Sequence, residues 1–156
     1  MKNFVVTALL LVTPLLGDTD FGIPPSTIAP STVPPPTYAP TTSESNAEAI
    51  SWLTLQDQGQ YGSAWSDASS LMKDIITQSQ WVAAMKALRQ PLGSVKTRKT
   101  GTPQTVKSLP GGTKGDFVII SYQTSFSFKS LATEKVTLMT DALNQWRVVA
   151  YDVSSS

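Results

Sequence analysis

Between Asp18 and Ser45 the chain is interrupted by Pro24, Pro25, Pro30, Pro34, Pro35, Pro36 and Pro40, with Ser and Thr filling most of the gaps. Each proline fixes φ and removes a backbone donor, so neither a helix interior nor a sheet ladder runs through such a tract. The composition is that of a disordered spacer sampling polyproline II. Two other uses exist for it: a ligand for a proline-recognising groove, around Pro34–Pro36 and Tyr38, or an O-glycosylated stalk. Either way, a packed core is confined to residues 46–156, enough chain for one domain.

The opening "MKNFVVTALLLVTPLLG" places Lys2 before an apolar run from Phe4 to Leu16. As a helix that run is about 20 Å long, short of the ~30 Å needed to cross a bilayer. Residues 1–17 therefore read as a secretory signal peptide, and the expected location is periplasmic or secreted. Leu15 departs from the small-x-small cleavage pattern, so an uncleaved membrane anchor is the alternative. Asp18 stands where a lipoprotein signal requires Cys, which excludes lipid attachment there. No integral span is expected after cleavage.

The chain contains neither Cys nor His. Thiolate nucleophiles, disulfides and Ser-His-Asp arrangements are excluded, and so are the commonest metal sites. The expectation is no catalytic residue, no metal and no cofactor. Net charge is +1, but between Ile75 and Gly115 every charge is positive: Lys86, Arg89, Lys96, Arg98, Lys99, Lys107 and Lys114.

Helical signals come first. Ser45-Asn46-Ala47-Glu48 fits a capping box. It is followed by a stripe of Ala47, Ile50 and Leu53, with Trp52 and Leu55 beside it, and by a stop at Gly59. "QYGSAWSDASS" reads as the corner between helices, with Tyr61 and Trp65 as apolar anchors and its serines as caps. Leu71, Met72, Ile75 and Ile76 form a short apolar patch. Thr77–Gln80 is a second capping box, opening "QWVAAMKALRQ" with Trp81, Met85 and Leu88 on one face. Pro91 and Gly93 end that helix, and Lys86 and Arg89 suit the dipole of its C-terminus.

From Ser94 the period changes to two. "SVKTRKTGTPQTVKSL" suits an exposed edge strand or loose hairpin. In "FVIISYQTSFSF", Val118, Ile120, Tyr122, Phe126 and Phe128 alternate onto one face. "EKVTLMT" turns Val136 and Leu138 inward. "WRVVAYDV" is apolar in both phases and is expected at the centre of the sheet. The class is α+β, with N-terminal helices packed on a C-terminal antiparallel meander.

"QYGSAWSDAS", "QWVAAMKALRQPLGSVKTR", "SLPGGTKGDFVIISYQTSF", "EKVTLM" and "QWRVVAYDV" follow one another in this order. Together they resemble an uncharacterised bacterial secreted family, domain of unknown function 4019, over residues 46–153. The most specific elements are Arg89-x-Pro91-Leu92-Gly93 with Arg98 beyond, Pro110-Gly111, Tyr122-x-Thr124-x-Phe126, and Trp146-Arg147-Val148. The resemblance implies an envelope location and a small α+β fold, and no activity. The element order is also similar to cystatin-like or nuclear-transport-factor-2-like folds, which host enzymes and binding partners alike.

Three functional readings follow. The first is a non-catalytic binding or assembly module on a flexible stalk, contacting another envelope protein. The second is an isomerase- or dehydratase-type enzyme pairing Tyr122 or Tyr151 with Asp116, Glu134 or Asp152. The third uses Arg89, Lys96, Arg98 and Lys99 to bind an anionic envelope component, against the ordinary role of edge charges in blocking aggregation. Lys96 and Arg98 are expected on one face of their strand and Lys99 on the other. Nucleic acid is not an expected partner at this modest charge.

Overall fold

A computed structural model describes residues 41–155. Residues 1–17, where a signal peptide is expected, and nearly all of the proline tract lie outside the described residues. Helices α1 (Thr42–Asp57), α2 (Tyr61–Asp67), α3 (Ser70–Ile75) and α4 (Gln78–Arg89) precede strands β1 (Val95–Thr100), β2 (Gln104–Ser108), β3 (Lys114–Phe126), β4 (Ala132–Thr140) and β5 (Trp146–Ser155). All strand pairs are antiparallel. The fold is therefore α+β, helices first and a five-stranded meander after, as the periodicity predicts. Among the described residues no helix is long and apolar enough to cross a membrane.

α1 begins a turn earlier than expected, and includes residues 42–45 of the tract. Its capping box is Thr41 with Glu44, not Ser45 with Glu48. Ser45 is instead buried inside the helix, donating its hydroxyl to the Thr42 carbonyl at 2.7 Å. The buried stripe is Ser45, Ala49, Trp52, Leu53 and Gln56, while Ala47 and Ile50 face outward. Trp52 decides this rotation. Its ring packs 5.8 Å from Trp81 and 5.4 Å from Tyr151, and its indole N–H donates to the Ala64 carbonyl at 2.8 Å.

The corner after Gly59 holds as expected. Trp65 donates to the Ile76 carbonyl at 2.9 Å, and Ser69 caps α3 by accepting from the Met72 N–H. α4 opens on the Thr77–Gln80 capping box. Its buried stripe is Trp81, Met85 and Arg89, a cation in the third position, while Leu88 packs partly buried against the same core. Thr77→Ala is expected to cost about 1 kcal/mol, the usual worth of a side-chain cap, seen as a lower urea midpoint at unchanged slope.

β1 and β2 both lie along one side of β3, and β4 along the other. The polar stretch from Val95 to Ser108 is thus one edge strand broken at Gly101–Pro103. Gly101 donates to the Ser121 carbonyl at 2.7 Å, and a Cβ there would lie 2.8 Å from that oxygen. Val118, Ile120, Tyr122 and Phe126 are buried, whereas Phe128 lies past the strand end and is 76 % exposed.

β5 ends the sheet order rather than occupying its centre. A register shift between Thr137 and Leu138 leaves Val149 as the extra residue on β5. A bulge reverses the alternation. Trp146 and Val148 before it, and Tyr151 and Val153 after it, therefore all meet the core clusters. The apolar run in both phases here records a phase change, with Val149 at the bulge itself also buried. The Ser69 N–H donates to the Val148 carbonyl at 2.9 Å, pairing that edge group with the helical corner.

Candidate functional site

Along β4 the inward positions read Ala132, Glu134, Val136 and Leu138, all buried. Glu134 is 0 % exposed in an otherwise apolar row. A carboxylate there requires donors, because a lone buried charge is prohibitively costly. Four converge on it. Its Oε1 accepts from Arg89 Nη1 at 3.0 Å and the Tyr151 hydroxyl at 2.6 Å. Its Oε2 accepts from Arg98 Nε at 2.7 Å and the Thr124 hydroxyl at 2.6 Å. A carboxylate has about four acceptor sites, so Glu134 is saturated.

Asp57, the last residue of α1, closes the arrangement. It accepts from Arg98 Nη1 at 2.7 Å and Nη2 at 3.0 Å, and also from Arg89 Nη2. The guanidinium of Arg89 also lies 5.5 Å from the Phe126 ring centre. Arg89 is 5 % and Arg98 12 % exposed. Two arginines and two carboxylates thus neutralise one another where α1, α4, β1 and β4 meet.

The electrostatics follow from this geometry. Burial by itself raises the pKa of Glu134. Hydrogen bonds from Arg98, Thr124 and Tyr151, with the charge of Arg98, outweigh it and hold the carboxyl below its ordinary value. Burial and then the Glu134 charge push the Tyr151 phenol well above its ordinary value. Burial pushes Tyr122 up to about 12. Tyr122 faces Glu134 across the β3–β4 pair, and its hydroxyl donates to Asn46 Oδ1 at 3.0 Å rather than to the carboxylate.

Of the acid–base candidates, the fold brings Glu134, Tyr151 and Tyr122 together, Tyr122 lying opposite Glu134 in the register, and separates the two aspartates. Asp116 is exposed and pairs with Lys107. Asp152 is exposed, opposite Lys135 in the register. Of the basic candidates, Arg89 and Arg98 meet through shared carboxylates, while Lys96 and Lys99 are exposed. A bulge between Val95 and Thr97 removes Lys96 from the strand alternation, so Val95 and Arg98 are the half-buried pair. Lys96 and Arg98 consequently do not form the alternating pair expected of "VKTRK".

A family model matches residues 48–151. The chain belongs to DUF4019, a family described as protein of unknown function. No curated protein matches, and no solved structure does. The DUF4019 region contains every member of the ion network. Arg89, Arg98 and Thr124, which carried the resemblance to DUF4019, surround the same carboxylate.

The DUF4019 domain also has a cleft of about 430 Å³ beside this network, lined by Gln56, Asp57, Tyr61, Lys86, Arg89 and Gln90 among others. Gln56 is 1 % exposed, and neither its Nε2 nor its Oε1 has a hydrogen-bond partner. A buried polar group without a partner costs ~1–3 kcal/mol, and such groups are rare. The arrangement therefore offers a closed, charge-neutral cluster and a buried, unpartnered amide next to it. Among the described residues no group of carboxylates is placed to hold a metal ion.

Proposed function

We propose that the chain is an exported, non-catalytic binding module that offers its β1 edge to an acidic face of another envelope protein. The observation that carries this reading is at β1. Lys96 and Lys99 are exposed there, and neither forms an ion pair among the described residues. β1 ends the sheet order, so its outer backbone groups pair with no described strand. Exposed cations beside an open edge suit an acidic, extended partner segment. Export rests on the apolar segment of residues 4–16 following Lys2.

Glu134 and Tyr151, 2.6 Å apart, favour the enzyme reading by proximity alone. A general base needs a free lone pair and access to substrate. Glu134 has neither: it is fully buried and accepts four hydrogen bonds. Saturation supports the non-catalytic reading over this one.

The test is mild crosslinking of the full chain in its native cells, with wild type beside a Lys96→Glu, Lys99→Glu variant. The expected result is one crosslinked protein whose yield drops at least tenfold in the variant, at unchanged thermal midpoint. Equal capture by both forms overturns the reading, as does capture of lipid or glycan without protein.

A further inference from the structure

We propose that the cleft beside the ion network binds a short peptide or N-acyl amino acid with a free carboxylate. The amide of Gln56 reads the peptide group and Lys86 takes the carboxylate. The cleft reaches the start of β1 at Val95, but neither Lys96 nor Lys99 lines it, so the two proposals are tested by different variants and either stands if the other fails.

Gln56 gives the first argument. It is 1 % exposed, and both its amide donor and its amide acceptor lack partners. A side chain that offers one donor and one acceptor side by side is complemented by another amide, which offers the same pair reversed. The position also departs from the rest of the core. The neighbouring Asp57 has both oxygens engaged by arginines, and Glu134 has its full set of donors. Among the described residues the other buried side-chain polar atom without a partner is Trp81 Nε1, a lone donor; Gln56 has both a donor and an acceptor unmatched, and it lines the cleft. Both amide atoms are closed to solvent in the free fold, so an occupant is met by a swing of the Gln56 side chain about its inner torsions, and the soft terminal torsion then sets which amide atom faces it.

The charge around the cleft gives the second. Arg89 and Arg98 balance Asp57 and Glu134, leaving Lys86 as an added positive charge on the lining. Lys86 is exposed and makes no ion pair among the described residues. A ligand that brings one negative charge satisfies it. Half-buried Tyr61 gives the lining an aromatic surface for the apolar part of such a ligand.

The experiment titrates the full chain with N-acetyl-alanyl-alanine, with its C-terminal amide, and with acetate, following amide chemical shifts. The variants are Gln56→Leu and Lys86→Gln, and each is also melted without ligand. Wild type should bind the free dipeptide saturably, at least tenfold tighter than the capped form, with acetate weakest. Gln56→Leu should weaken binding at least tenfold while raising the thermal midpoint, because an unpaired amide has been removed. Lys86→Gln, at an exposed position, should fold normally and lose the preference for the free carboxylate. Absence of saturable binding to wild type overturns the proposal, and so does undiminished binding by Gln56→Leu. A lower midpoint for Gln56→Leu also overturns it, since the amide would then have a partner in the free fold, such as a buried water.

Discussion

Glu134→Gln is expected to lower the unfolding free energy by about 3–5 kcal/mol, the range for removing one partner of a buried ion pair. The substitution keeps the shape and removes the charge. Glutamine presents an NH₂ where the carboxylate accepted hydrogen bonds, so donor faces donor on one side of the site. Arg89 and Arg98 are then left with Asp57 as their one shared anion. Urea unfolding measures the loss as a lower midpoint at unchanged slope. A loss below about 1 kcal/mol, the size of an exposed pair, would show that water reaches the network. The counterpart experiment replaces the cluster together. Glu134→Leu with Arg89→Met, Arg98→Leu and Asp57→Asn should recover much of the loss, because apolar residues of similar volume often serve as well as a buried network.

The second large effect is with pH. The carboxyl of Glu134 is held below its ordinary value in the fold, so on acidification the unfolded chain takes up this proton first. Its contribution is fully present above about pH 4.3, the free glutamate value, and is lost as pH falls through the folded value. At the alkaline end the sign reverses. Burial raises Tyr122 to about 12 from 10.0, so the unfolded chain gives up the phenol proton first. Stability is retained below about pH 10 and declines toward pH 12. The displacement is worth on the order of 3 kcal/mol. Tyr151 acts in the same direction. Urea midpoints across pH should show a plateau with a loss at each end. Glu134→Gln should flatten the acid limb and leave the alkaline one present but weakened, since burial is the larger cause for both tyrosines and the Glu134 charge the smaller. An unchanged acid limb in that variant would place the acid-sensitive group elsewhere.

How much of this was legible in the sequence varies by element. The Thr77–Gln80 capping box, the corner at Tyr61 and Trp65, and the inward row of β3 as far as Phe126 are local patterns, and they hold. The α1 stripe was misplaced because Ala, Ser and Ile alternate there without a strong period. The contacts of Trp52 choose the face. The position of β5 was misread because a bulge is invisible in a plain two-residue alternation. The site was visible in fragments. Glu134 is in phase with Val136 and Leu138, and Arg89 is in phase with Trp81 and Met85. Asp57 ends α1, where the helix dipole disfavours a negative charge. Each is a local mismatch of the kind that calls for a distant partner. Nothing local pairs them, because Arg98 reaches its phase only through the bulge after Val95.

The ion network draws on chain segments far apart. Arg89 meets Asp57 across 32 positions, Arg98 meets Asp57 across 41, Glu134 meets Arg89 across 45, and Tyr151 meets Arg89 across 62. None of these bonds helps a helix or a hairpin to form alone, and each has to wait for loops to close. Until β5 docks, two guanidinium groups and two carboxylates would lose water without their full set of partners. The cluster therefore penalises half-built forms more than it favours the finished one. Its consequence is all-or-none behaviour: helices and sheet open together as one cooperative unit, with no stable fragment that lacks either end.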